Sequence, residues 1–246
     1  MKHLSPPKFM VNLNCIIFPR RRMLMSLPLQ TSAVMKQESS LKPLTLVLYL
    51  IILAAAGYFI SQLSLPSSLF SGAKGFIWFA CFMAVTLSIK SVRLLIAPLV
   101  NFRVMKEPRS YLFILLTFLI PYLLLKFCIH YEVMLDRTII DYLNNPRVEA
   151  FSLGSTLYTT LLTPIWEEIL FRAVLLTILL KKLKPIWAIC ITAILFAFIH
   201  FSATWLFILL GGFLLTYTVY KTKSLIPAIA AHSLWNLYMT QLLLYF

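Results

Sequence analysis

Pro164-Ile165-Trp166-Glu167-Glu168-Ile169-Leu170-Phe171-Arg172 lies inside a stretch, 151–180, that is otherwise uncharged and largely apolar. An ionised side chain in hydrocarbon costs about 3 kcal/mol or more, so it persists there only when paired or used. Read as helix, Glu168 and Arg172 are i and i+4 with the acid first, the favourable order for an ion pair. Glu167 projects about 100° around the helix from Glu168, so the two carboxylates cannot share one direction. Arg172 can neutralise Glu168 and leave Glu167 facing elsewhere: one acid for structure and one left to act.

The rest of the composition sets these residues in a membrane. Hydrophobic residues make up 61% of the 246 and charged residues 12%, and mean hydropathy is +0.88. A soluble domain is nearer half apolar and a quarter charged. The expected fold is therefore all-α, a polytopic membrane helical bundle. A net charge of +14 could indicate nucleic acid, but in such a chain it reads as Lys and Arg gathered in cytoplasmic loops; no nucleic-acid partner is expected. Cys15, Cys81, Cys128 and Cys190 are scattered singly, which fits small core residues and neither a disulfide frame nor a thiolate metal site.

Apolar runs fall at about 44–63, 75–97, 111–129, 148–180, 186–201, 205–220 and 225–246. About 20 residues cross a bilayer, which gives about seven transmembrane helices. The fourth run is too long for one upright crossing and too short for two, and Pro164 near its middle predicts one long kinked or broken helix carrying the Glu-Glu pair. Three parts follow: a basic tail, 1–43; three transmembrane helices, 44–147; and a helical core, 148–246. The tail has no small-residue cleavage site after its short apolar piece, so no signal peptide is expected; Met35-Lys36-Gln37-Glu38 would equally make an N-terminus just before the first span. The tail, the segment 90–109, Lys181 to Lys184 and Lys221 to Lys223 hold 17 of the 22 Lys and Arg, against Lys74, Lys126, Arg137 and Arg147 toward the opposite side. That bias predicts a multi-pass protein of the cell membrane with its N-terminus cytoplasmic and the fourth run crossing once.

Three more polar residues lie deep in apolar runs: His200, His232 and Asn236. His232 and Asn236 are one helical turn apart. At about 1.5 Å per residue, Glu167 lies ~21 Å from Lys181, His200 ~22 Å from Pro185, and His232 and Asn236 ~16 and ~22 Å from Lys221. Four polar groups on three helices fall at comparable depth. Ser155, Thr159, Thr163 and Glu167 recur every four residues; the stripe reads either as a helix-packing seam or as the wall of a wet cavity. Gly211-Gly212 reads as a point of close helix packing and not as a ligand cradle.

Glu167-Glu168-x-x-x-Arg172, Phe196-x-x-x-His200 and His232-x-x-x-Asn236 together resemble the three signature motifs of the CPBP family, the CAAX prenyl proteases and bacteriocin-processing or immunity (Abi) proteins. The resemblance covers roughly 150–240, and Ala173 stands where Gly is frequent. It implies an intramembrane glutamic endopeptidase acting on a membrane-associated or prenylated peptide or protein. In that assignment Glu167 and His200 activate water, His232 and Asn236 stabilise the oxyanion, and Glu168 and Arg172 give support, with no cofactor and no metal. Amide hydrolysis needs just such parts: a base, an activated water and donors for the oxyanion. Two other classes stay open. One is a zinc hydrolase, since two histidines and a glutamate are a legitimate ligand set, although no His-Glu-x-x-His occurs. The other is a non-catalytic membrane partner, such as an immunity protein engaging a bacteriocin or its receptor, or a proton-coupled transporter.

Overall fold

The computed structural model describes residues 42–64, 72–135, 153–200 and 205–240. Most of the tail 1–43 and the loop residues Asp136, Arg137, Asp141, Arg147 and Glu149 lie outside them. The described residues form eight helices: α1 (Pro43–Gln62), α2 (Ala73–Ser88), α3 (Lys90–Ile96), α4 (Pro108–His130), α5 (153–180), α6 (Pro185–Phe198), α7 (Trp205–Thr222) and α8 (Ile226–Met239). Proline occupies the first turn of α1, α4, α6 and α8. There its missing N–H costs nothing and its fixed φ suits the helix. Three helices (α1, α4 and α7) are long and apolar enough to cross a bilayer. Large side chains such as Leu44, Ile51, Phe59, Leu123 and Phe198 are exposed on the outside, as expected of faces turned to lipid. The described residues are helical throughout their regular structure, and the chain is a multi-pass membrane protein.

The second apolar run is not one straight span. The chain turns by 102° between α2 and the segment 90–106, with Ile89 in extended conformation at the corner. Past the corner Val92, Leu95, Ile96 and Leu99 are buried while Lys90 and Arg93 are exposed, so the segment packs one side inward and does not continue along the line of α2. Arg93 Nη1 donates to the carbonyl of Leu87 and ties down the corner. Two 3₁₀ turns, Ala97–Leu99 and Phe102–Lys106, lead on to α4. The loop between α7 and α8 docks here: Ser224 Oγ donates to Asn101 O at 2.9 Å and Leu225 N to Leu99 O at 2.9 Å. These contacts gather the basic residues of 90–109 and of 221–223 at one end of the bundle.

α5 is continuous but not uniform. It runs as α-helix (Leu153–Leu157), π-helix (Tyr158–Leu162), α-helix (Thr163–Glu168), π-helix (Ile169–Leu176) and α-helix (Thr177–Leu180). The residues at each junction keep right-handed helical φ and ψ. The irregularity predicted at Pro164 thus takes the form of π turns, which occur mostly as local bulges and often at functional sites. α2 packs along this helix. Gly72, at φ +98°, approaches the Ser155 backbone so closely that a Cβ would stand 3.0 Å from it, and a Cβ on Gly75 would meet the Tyr158 ring at 2.5 Å. Further along, the Trp166 ring meets Trp78 edge-on, with centroids 5.6 Å apart, and Phe82 at 5.8 Å. α6 packs on α7 through Gly212, where a Cβ would stand 3.0 Å from Phe196 and 3.4 Å from Ala193 O. A hydroxyl pair, Thr117 with Thr218 at 2.9 Å, joins α4 to α7.

Candidate active site

Arg172 is fully buried, and so charged a group needs its donors satisfied in the interior. Its Nη1 donates to Glu168 Oε1 at 2.9 Å, Nη2 to Gly212 O at 3.2 Å, and Nε to Thr216 Oγ1 at 3.3 Å. The guanidinium also lies 4.3 Å from the centre of the Phe196 ring, a cation–π distance. Thr216 in turn donates to Gly212 O at 2.6 Å. The motif cation is therefore held from α5, α6 and α7 together.

Glu168, also with no exposure, has two donors on one oxygen. Besides Arg172, His232 Nδ1 stands 2.9 Å from Oε1. His200 Nδ1 makes the corresponding contact to Phe196 O at 2.7 Å. A carboxylate and a carbonyl can only accept here, so Nδ1 carries the proton on both rings. Each Nε2 is left to face Glu167: His200 Nε2 is 3.9 Å from Oε1 and His232 Nε2 is 3.6 Å from Oε2. Both separations exceed a direct hydrogen bond. Glu167 is nearly as buried as Glu168, with 7% of its side chain exposed, whereas His200 keeps 29%. The i,i+1 spacing separates the acids as expected: Glu168 turns to Arg172 and His232 Nδ1, and Glu167 to the Nε2 atoms of His200 and His232.

Asn236 is one turn beyond His232 on α8, and its Nδ2 donates to Thr159 O on α5 at 2.9 Å. His200, His232 and Asn236 all line a cavity of about 220 Å³ bounded by α4, α6, α7 and α8. Phe207, Leu215 and Trp235 supply apolar wall, and Gly211 lines it too. A Cβ added at Gly211 would meet nothing within 4 Å. The two glycines divide their duties, Gly212 at the helix contact and Gly211 at the cavity. Ser155, Thr159 and Thr163 are not among the lining residues; Thr159 contributes its carbonyl to the α8 contact instead.

Of the six residues singled out in sequence, Glu167, Glu168, Arg172, His200 and His232 form one connected cluster, and Asn236 joins it through the cavity. Thr216, the Gly212 carbonyl and the Phe196 ring escaped the sequence reading. A lone threonine four residues after a glycine pair is the faint signal that could have found Thr216. Among the described residues, no group of three or more His, Cys, Asp or Glu side chains converges as metal ligands would.

Residues 149–238 match the family described as Rce1-like, type II CAAX prenyl endopeptidase Rce1-like. No curated protein and no solved structure matches the chain.

Proposed function

We propose that this protein, whose residues 149–238 match the Rce1-like type II CAAX prenyl endopeptidase family, is an intramembrane endopeptidase of glutamic type. Its substrate is a membrane-associated peptide or protein, with a prenylated C-terminus as the class the family implies. The observation that carries the reading is the convergence of both Nε2 atoms on the Glu167 carboxylate, at 3.9 and 3.6 Å, with each ring pinned through Nδ1.

In this mechanism a water sits between Glu167 Oε1 and His200 Nε2. A separation of 3.9 Å lets one water hydrogen-bond to both at about 2.8 Å. The water oxygen attacks the substrate carbonyl, Glu167 takes the proton, and the proton then passes to the departing amine. His232 and Asn236 face the oxyanion: Asn236 Nδ2 has a second hydrogen besides the one given to Thr159 O, and His232 donates from Nε2 in its doubly protonated form, with Nδ1–H still on Glu168. Glu168, on the far side of the His232 ring, holds its orientation and faces any charge it takes up, as an acid behind a catalytic histidine does. No step requires a metal. The substrate enters through the cavity beside His200, and the basic end of the bundle lies on the cytoplasmic side; a reporter fused after Lys184 would read cytoplasmic.

The test is cleavage by protein purified in detergent, using prenylated C-terminal peptides and an unprenylated peptide library. Wild-type cleavage that Glu167→Ala abolishes supports the reading. Cleavage by Glu167→Ala at the wild-type rate would overturn it.

A further inference from the structure

We propose that Pro164 is a positioning residue: by withholding a backbone N–H it frees the Thr159 carbonyl to anchor Asn236 at the mouth of the active site. The contact itself stands on geometry alone, and its catalytic consequence rests on the role proposed above for Asn236.

In a π turn each N–H donates to the carbonyl five residues earlier. The first π stretch of α5 shows this rung at its end, where Thr163 N donates to Tyr158 O. The next rung in the series would run from residue 164 to Thr159 O. Residue 164 is proline and has no N–H. The donor an ordinary α-helix would supply to Thr159 O is Thr163 N, which is the one given to Tyr158. Both backbone donors are therefore withdrawn from this carbonyl. In an apolar interior a carbonyl without a donor is costly, and the group that answers it is Asn236 Nδ2 at 2.9 Å.

The contact also decides which way the amide points. Only the nitrogen end of Asn236 can donate to a carbonyl, so Nδ2 faces α5. One of its hydrogens is consumed and the other is held in a fixed direction. Thr159 is locked as well, its hydroxyl donating to Ser155 O at 2.9 Å. Asn236 thus sits at the end of a short rigid path that begins with a missing hydrogen at Pro164. The proline in this motif does more than alter the helix's hydrogen-bond pattern: it directs a polar side chain 72 positions later in the sequence.

Pro164→Ala restores the N–H and lets the helix compete for Thr159 O. Proline is the least favourable residue in a helix interior, so a role confined to helix shape predicts activity that follows stability. The proposal predicts that they part company. Tm should hold or rise, kcat should fall about tenfold, a fraction of the 10²–10³ that losing an oxyanion donor costs, and KM should stay within about twofold of wild type. The decisive measurement is a thermal double-mutant cycle that needs no activity. Asn236→Ala should lower Tm by about 2–4 °C with Pro164 in place, and by much less in Pro164→Ala, where the backbone already fills the carbonyl. Additive Tm effects, or an unchanged kcat in Pro164→Ala, would overturn the proposal. Pro164→Ser restores the same N–H and replaces Pro164→Ala if that variant does not accumulate. With Pro164 untouched, Asn236→Asp sets an acceptor against the carbonyl and should melt below Asn236→Ala; an Asp no worse than Ala would also overturn the contact. A wild type that cleaves nothing would remove the proposed function and leave the thermal cycle to decide the contact.

Discussion

α1 and α5 are both long helices in the same bundle, yet they obey different rules. Only Tyr49 and Leu53 of α1 are buried, and its one buried polar tie is Tyr49 to Thr86 on α2 at 2.9 Å. Apart from close packing at Gly57 on Trp78, most of its surface is exposed hydrocarbon, a role many apolar sequences could fill. α5 buries two carboxylates and a guanidinium, bends its hydrogen-bond pattern twice, and meets α2, α6 and α8 through specific atoms. The lesson is one of specification. A membrane helix is tightly determined only where it carries polar groups, because each of those must find a particular partner.

The largest expected effect follows from the one acid in α5 that has no cation. Glu167→Gln keeps the shape and removes the base, so kcat should fall about 10²–10⁴-fold with Tm near wild type. If Glu167→Gln keeps full activity while Glu168→Gln loses it without destabilisation, the roles of the two acids are exchanged. Next comes the ion pair. Breaking a buried pair from one side costs about 3–5 kcal/mol, so Glu168→Gln should lower Tm markedly by stranding Arg172. Glu168→Gln with Arg172→Met should recover part of that loss, read as Tm in the same detergent. The contact between α2 and α5 is smaller: Gly75→Ala pushes a methyl onto the Tyr158 ring and should cost about 1–3 kcal/mol. α1 should show the least. Tyr49→Phe removes one interhelical hydrogen bond, worth about 0.6 kcal/mol in a membrane, and an effect as large as that of Glu168→Gln would erase the contrast between the helices. Exhaustive chelation should leave cleavage unchanged; loss of activity restored by added zinc would turn Glu167, His200 and His232 into ligands.

Periodicity and depth made much of α5 legible in the sequence. Spacing i,i+4 predicted the contact of Glu168 with Arg172, which is present at 2.9 Å. Counting residues from Lys181, Pro185 and Lys221 put Glu167, His200 and His232 at comparable depth, and they meet. The contact of His232 with Glu168 was not legible, because it joins positions 64 apart in sequence and no local pattern reports which ring nitrogen faces which acid. The corner at Ile89 was hidden for a different reason. Residues 75–97 are apolar enough to read as one span, and nothing in their pattern marks the extended Ile89 at which the chain turns by 102°. The π turns were invisible in kind: Pro164 announced an irregularity without saying that the backbone would stay helical.

Gly211 and Gly212 are adjacent, and the difference between them bears on how such a protein can change. A side chain at 212 would collide with Phe196 and the Ala193 backbone, and would disturb the carbonyl that receives Arg172. Gly211 lines the cavity, and a Cβ there would meet nothing within 4 Å beyond its own stretch of helix. Assembly of the bundle and the size of its chamber are thus written at separate, neighbouring codons. A single substitution at 211 can shrink the space offered to a substrate while the scaffold stays intact, giving selection, or a protein engineer, a way to retune ligand preference without first repairing the fold.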